Sequence, residues 1–555
     1  MSGPLFSIIT PVHNPPENAL RSMLTSVAEQ SCGDWEHCIV DDGSTAGYVK
    51  AILEAHAAKY RQVRLLLRAE SGGIVVASND ALNLASGEFV ALLDHDDELA
   101  QDALAQVSLA ITRAPDSDYL YTDEDKIDEV NNHFDLFLKP DWSPERLHSQ
   151  MYTCHLSVLR RVLVADVGGF REGFEGSQDW DLVLRVTERA RRVTHVRETC
   201  YHWRAVPNSA ATSVDAKPYA VAAAERAVNE HFARTQFPGT ACESSVPGIL
   251  RVDPALSEHP LVSIVVPTAG SSQLLRGEPT VLVTNAIRSV YDRSTYRNFE
   301  VIVVADASVS AATRQELKDI GGSTLRIVDY SAAFNFSDKI NAGFVRSSGD
   351  YVLLLNDDIE VLPNGWRDGW PKLHGTSHWI ESLLMYASQT GVGAVGAKLY
   401  FNDLRLQHVG VVMHGGLPSH SYRGFPSLYG GYFSNAHAVC NYIAVTAACV
   451  MIPRAAFEQV GGFSISYPVN YNDVDFCLKI HAAGLRSVYS PGAELLHYES
   501  ATREASVSPA EIALIQDQWR SVLHDDPYYH PRFYQRSPDF HPQVMLTDGS
   551  LVKQH

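Results

Sequence analysis

The sequence predicts an α/β fold built twice: two tandem units, each a mainly parallel sheet with flanking helices, then a short C-terminal helical extension. Three observations predict it. Short apolar runs that read as buried strands alternate with helical patterns, which yields parallel sheets with right-handed crossovers. A strand-ending acidic pattern occurs twice, as ALLDHDDEL at 91–99 after SGEFV and as LLLNDDIEV at 353–361 after SGDYV. The two copies also keep step: Asn79 and Asn341, Gly87 and Gly349, and Asp96 and Asp358 are each 262 residues apart. Gly168 and Gly461, Asp179 and Asp473, and His202 and His497 follow at 293, 294 and 295, so one insertion of about thirty residues separates the two sets.

Each copy opens on an apolar strand ending at proline, FSIITP at 6–11 and VSIVVP at 262–267. A helix follows, with Leu20, Met23, Leu24 and Val27 on one face of the first copy and Val283, Ile287 and Val290 on one face of the second. The second strand, HCIVDD at 37–42 or EVIVVAD at 300–306, closes on an acid, and a helix carrying Asn79 or Asn341 leads to the third strand. An Ala-rich helical stretch at 217–235 and a Gly/Pro-marked segment near 238–248 join the copies. The expected domains are therefore 1–255, with a helical linker at about 215–255, then 256–505, then a helix and tail at 506–555.

The formal charge of −20 argues against a nucleic-acid or anionic-membrane surface, which wants basic patches. Eight cysteines form no CxxC pair and no zinc spacing with histidine, so they read as thiols of a reducing compartment. The N-terminus lacks the basic start and continuous apolar core of a signal peptide, and the most apolar stretch, 438–453, is shorter than the ~20 residues that span a bilayer. The expectation is a cytoplasmic protein with no transmembrane segment, with peripheral attachment at the inner face of the membrane left open.

In sheets of this kind ligands bind beyond the carboxyl ends of the strands, where Asp42, Asp96, Asp306 and Asp358 stand. Carboxylates packed so closely raise one another's pKa unless a cation neutralises them. Oxygen ligands suit Mg²⁺ or Mn²⁺, which need only one or two carboxylates when a diphosphate completes the shell.

SIITPVHNP, IVDDGST, ASGEFVALLDHDDEL, GSQDWDLVLR and CYHWR in the first copy resemble family 2 glycosyltransferases of the GT-A fold. So do FNFSDKINAGFVRSSGDYVLLLNDDIEV, VGAKLYF and NYNDVDFCLKIHAAG in the second. The resemblance implies a nucleotide-sugar donor, UDP-, dTDP- or GDP-linked, a divalent cation, and a saccharide acceptor, lipid-linked in one version. It assigns Asp42, with Asp41, to the nucleotide base and Pro11 to the floor of its pocket. Asp94, His95 and Asp96 take the D-x-D position, Asp94 and His95 on the nucleotide-sugar and Asp96 on the metal, with His202 completing the metal site. Asp179 is the catalytic base. In the second copy Pro267, Asp306, Asn356 and Asp357 bind the donor, Asp358 and His497 the metal, and Asp473 is the base.

Each assignment has a plainer rival. Asp179 also reads as a first-turn acid favoured by the helix dipole, and Trp180 and Trp203 as core. His408, His414 and His420 fit no zinc template, and acceptor contact is no more than a guess for them; NFS at 335–337 matches a glycosylation sequon, which a cytoplasmic chain would not use. The expected function is a bifunctional inverting glycosyltransferase building a bacterial surface polysaccharide of O-antigen type. The alternative keeps one catalytic half and makes the second a saccharide-binding module. A nucleotidylyltransferase is weaker, because its glycine-rich basic loop is replaced by VHNPPEN and TAGSSQ.

Overall fold

The computed structural model describes residues 3–205, 218–363, 377–498, 507–545 and 551–553. The start of the expected linker, 215–217, lies outside the described residues. The chain forms two compact units: Met1–Trp142 with Gln150–Gln236, and Ser143–Ser149 with Phe237–His555.

In the first unit, nine strands make one sheet: β1 (Phe6–Val12), β2 (Trp35–Asp41), β3 (Val63–Leu67), β4 (Phe89–Leu92), β5 (Glu98–Leu99), β6 (Tyr119–Ile127), β7 (His133–Phe137), β8 (Ser157–Arg160) and β9 (Val193–Arg204). Their order is β3-β2-β1-β4-β8-β6-β9-β5, with β7 paired to β6. The β3-β2-β1-β4 part and the β6–β9 pair are parallel, while β8 and β5 run antiparallel to their neighbours. The helices that flank it include α1 (Glu17–Ala28), α2 (Gly47–Lys59), α3 (Ile74–Leu84), α4 (Ala103–Arg113), α5 (Gln178–Thr187) and α6 (Pro218–Thr235). The apolar face read on α1 is buried at Leu20, Met23, Leu24 and Val27. It packs in one core with Ile8, Ile39, Phe89 and Leu120 of the sheet.

The second unit repeats the plan with β10 (Val262–Thr268), β11 (Phe299–Asp306), β12 (Leu325–Tyr330), β13 (Tyr351–Leu355), β14 (Ile359–Val361), β15 (Val392–Tyr400), β16 (Leu406–His408), β17 (Cys440–Tyr442), β18 (Cys449–Pro453) and β19 (Arg486–His497). The order is β12-β11-β10-β13-β18-β15-β19-β14, the first unit's order strand for strand, with β16 antiparallel on β15 as β7 is on β6, and β17 on β19 as an addition. Its helices include α7 (Leu282–Arg293), α8 (Ala311–Gly321), α9 (Phe336–Val345), α10 (Trp379–Ala387), α11 (Asn472–Ala482) and α12 (Pro509–His524). The short segment Ser143–Ser149 belongs here: Ser143 Oγ donates to Asn441 Oδ1 at 2.6 Å, and Glu145 pairs with Arg486 at 2.8 Å.

Two repeated sequence marks are structural. A Cβ on Gly87 would sit 2.8 Å from Ser7 N, and one on Gly349 2.5 Å from Leu261 O, so only glycine lets this chain pass the start of the first strand. Ser7 Oγ accepts from Gly87 N and donates to the buried Glu36, and Ser263 does the same with Gly349 and Glu300. Asn79 exchanges two hydrogen bonds with the Phe170 backbone, both 2.9 Å, and Asn341 does likewise with Phe463. These asparagines fasten α3 and α9 to the glycine-rich loops that precede α5 and α11. Asn335 of the NFS triplet caps α9, its Oδ1 accepting from Asp338 N at 3.1 Å.

Candidate active site

Parallel strands end together, so the acids at the ends of β2 and β4 share one rim. Asp41 is buried and accepts from Ser44 N at 3.1 Å. Asp42 accepts from Gly72 N (2.8 Å), Gly73 N (2.9 Å) and Ser71 Oγ (2.7 Å), and Arg68 Nε lies 2.9 Å away. Burial opposes its ionisation, but these donors together hold the carboxyl below the ordinary range. His95 is seated over the end of β1, its Nδ1 3.3 Å from Pro11 O.

Beyond β4 the three acids diverge in role. Asp97 is fully buried, accepting from Tyr201 Oη at 2.6 Å and from Arg204 N at 2.7 Å, while Asp94 N donates to the same Tyr201 oxygen. Burial, opposed by His95 and reinforced by Asp94, raises the Asp96 carboxyl. Burial with Asp96 and Asp94 pushes Asp97 well above its usual value. Asp179 stands in the first turn of α5, where burial is the main cause of a raised value, with His155 opposing and Asp94 adding to it. The fold thus brings Asp179 to the 94–97 cluster across more than eighty positions. Among the described residues Asp94, Asp97 and His155 offer ligand atoms within 4.8 Å of one another. Buried acids whose carboxyls are raised chiefly by burial, and further by one another, fit a divalent cation.

His155, Asp97 and Tyr201 were not singled out by sequence. His155 stacks on Tyr201 at 4.5 Å and meets Trp203 edge-on at 5.7 Å. Its backbone is pinned, the N–H donating to Glu124 and the carbonyl accepting from the fully buried Lys139 Nζ. Trp180 is core, 6% exposed.

His202 is not brought to Asp96. Its Nδ1 lies 2.6 Å from Asp125 Oδ1, and His133 approaches the other oxygen of the same carboxylate. Sheet register gives the reason. Glu98 pairs with His202, whereas its counterpart Glu360 pairs with Leu496. His497 therefore stands level with Trp203, and one residue of slip turns a strand side chain to the other face.

In the second unit His497 does meet the acid expected of it, with Nε2 3.0 Å from Asp358 Oδ1. Its Nδ1 is 2.6 Å from Gln407 Oε1, and Asn356 Nδ2 lies 3.4 Å from Nε2. Asp357 accepts from Thr268 Oγ1 at 2.6 Å, and burial, then Asp358, pushes its carboxyl up to about 6. Asp306 differs most from its counterpart Asp42: the buried Lys339 of α9 places Nζ 2.7 Å from Oδ1 and 3.1 Å from Thr268 O. The first copy has Ala77 in that place, and Ala305 replaces Asp41. Pro267 lies in β10 beside Val304, as Pro11 lies beside Val40. Asp473 accepts from Ala447 N at 3.1 Å and Val474 N at 2.9 Å in the first turn of α11. His408 and His420 meet at 2.9 Å, and burial, then His420 and His497, drives the His408 imidazole well below its usual value. His414 turns away to Gln535 and Ser419.

The family described as Glycosyl transferase family 2 matches residues 7–167 and 263–408, more than half of the chain. The chain belongs to that family, and its fold is two tandem GT-A domains. An uncharacterized protein of Sinorhizobium fredii, y4gI, is 40% identical over 97% of this chain and 58% of its own. The O-antigen biosynthesis protein RfbC of Myxococcus xanthus is 35% identical over 98% of this chain and 40% of its own. The chain thus spans about half the length of these curated relatives. A chondroitin synthase of Escherichia coli is 30% identical over 36% of this chain and 29% of its own. The crystal structure of S. aureus TarS 1-349 in complex with UDP-GlcNAc has a TM-score of 0.33 at 20% identity, over 41% of this chain and 72% of that one, too slight a likeness to carry an argument. No helix among the described residues is long and apolar enough to cross a membrane.

Proposed function

We propose that each unit transfers a sugar from a nucleotide-sugar to a growing surface polysaccharide, with inversion at the anomeric carbon. The observation that carries this reading is the same pairing in both units. In the first unit Asp179, at the start of α5, feels the charge of Asp94 past the end of β4. In the second Asp473, at the start of α11, accepts from Ala447 N, and the adjoining Ala448 carbonyl accepts from Asn356 N past the end of β13. Asp179 and Asp473 take the proton of the incoming sugar hydroxyl, and their raised or backbone-held carboxylates face the rim where the donor lies. Asp96 in the first unit, and Asp358 with His497 in the second, would hold Mg²⁺ or Mn²⁺. The ion, when bound, supplies charge stabilisation for the departing diphosphate. Asp42 and Asp306 bind the base, and Asp94, His95, Asn356 and Asp357 orient the rest of the donor. The polysaccharide class follows the naming of the Myxococcus relative. The lipid linkage of the acceptor stays with the sequence expectation.

A second reading, in which only the first unit catalyses, draws on the Lys339–Asp306 pair and the replacement of Asp41 by Ala305. Transfer assays with a donor panel on Asp179→Asn and Asp473→Asn separate the two. With two active units each variant loses about 10²- to 10⁴-fold with its own donor only. Full transfer of every donor by Asp473→Asn overturns the two-site version.

A further inference from the structure

We infer that Asp125, His133 and His202 form a transition-metal site in the first unit, separate from the acidic cluster at 94–97. The three residues come from neighbouring strands. Asp125 of β6 lies beside His202 of β9 in a parallel pair, and the β6–β7 hairpin folds His133 back over them. The Asp125 carboxylate presents one oxygen 2.6 Å from His202 Nδ1 and the other 2.9 Å from His133 Nδ1. The two imidazoles meet edge to face with centroids 4.7 Å apart, and one ligand atom from each of the three residues lies within 4.8 Å of the others.

The donor set decides what such a site takes. Two imidazoles and one carboxylate suit Zn²⁺ or another late first-row ion, with a coordination position left open for water or a ligand. The 94–97 cluster supplies mainly oxygens and suits a harder ion completed by a diphosphate. Access is one-sided: Asp125 is buried, the His202 side chain is 19% exposed, and that of His133 is 54% exposed at the mouth.

Strand geometry keeps the two sites apart. Tyr201 and Trp203 both contact His155, on the side of the acidic cluster, so His202 between them points to the other face. Among the described residues the second unit has no counterpart, since Tyr400 and Leu496 occupy the places of Asp125 and His202 in the sheet register. One such metal per chain is therefore expected, bound without nucleotide.

The test uses the full chain, stripped with a chelator and dialysed against Zn²⁺ or Co²⁺ with no nucleotide present. Metal content is measured by mass spectrometry and cobalt coordination by visible absorption. Wild type and Asp96→Asn should each retain one equivalent, with an absorption band showing nitrogen ligation. His133→Ala and Asp125→Asn should bind about a hundredfold more weakly or worse. His133 lies on an exposed hairpin, so its variant should fold, and an unshifted melting curve of the stripped protein checks this. Metal retained by His133→Ala at wild-type strength, metal lost in Asp96→Asn, or no metal in wild type would each overturn the assignment. All three outcomes are independent of whether the chain transfers sugars.

Discussion

At the scale of single residues the two halves share three acids, Asp42 with Asp306, Asp96 with Asp358 and Asp179 with Asp473, and differ in what surrounds them. Asp42 is held by backbone N–H groups, a hydroxyl and Arg68, whereas Asp306 is held by an internal ammonium. A buried lysine beside the acid proposed to read the base changes what that pocket accepts, because it adds a donor where Ala77 adds none. Lys339→Met should therefore change nucleotide affinity in the second half by about tenfold, the scale of one hydrogen bond to a charged group. Calorimetry on a background of Asp179→Asn reads this, and affinity in the first half should not move. Sequence made the strand-end acids legible because they repeat in register. It hid Asp97 and Tyr201, whose bond spans 104 positions, and His155, whose counterpart by register is Ala448. Matching His202 to His497 by sequence also could not show the one-residue difference in strand register that sets His202 beside Asp125.

At the scale of elements, the repeated Ser-Gly before β4 and β13 is a packing device. Gly87→Ala or Gly349→Ala forces a methyl against backbone atoms, and each should cost about 1–3 kcal/mol or more. Denaturant melting of the full chain should register the loss in one unit at a time. The same junction holds a buried glutamate in each unit. Burial opposes ionisation of Glu36 and Glu300, but serine hydroxyls, the backbone N–H of Ser86 or Ser348, and Arg64 or Arg326 hold both carboxyls below the ordinary 4.5. Their stabilisation is therefore complete above about pH 4.5 and is withdrawn as the pH falls below it. Glu36→Gln and Glu300→Gln should lower stability at neutral pH and flatten its loss in acid, and an unchanged acid limb would contradict this. The alternation of strands and helices and the helix faces were readable because apolar periodicity is local; α2 with the half-exposed β3, and α8 with β12, were passed over. The addition β17 was not readable, since it depends on which part of the sheet the inserted chain finds.

At the scale of the whole molecule, duplication explains both the common topology and the divergence of the pockets. One strand order serves twice, and specificity is left to side chains at the strand ends, where substitutions such as Ala77 for Lys339 or Asp97 for Ile359 do not disturb the core. The central claim is that each half binds its own nucleotide donor with a divalent ion. Equilibrium dialysis of the full chain with Mn²⁺ and radiolabelled nucleoside diphosphates measures it directly, in wild type, Asp96→Asn and Asp358→Asn. Two equivalents of nucleotide per chain, with one lost in each variant, is the predicted result. A single equivalent that survives Asp96→Asn, or two that neither substitution diminishes, would contradict it.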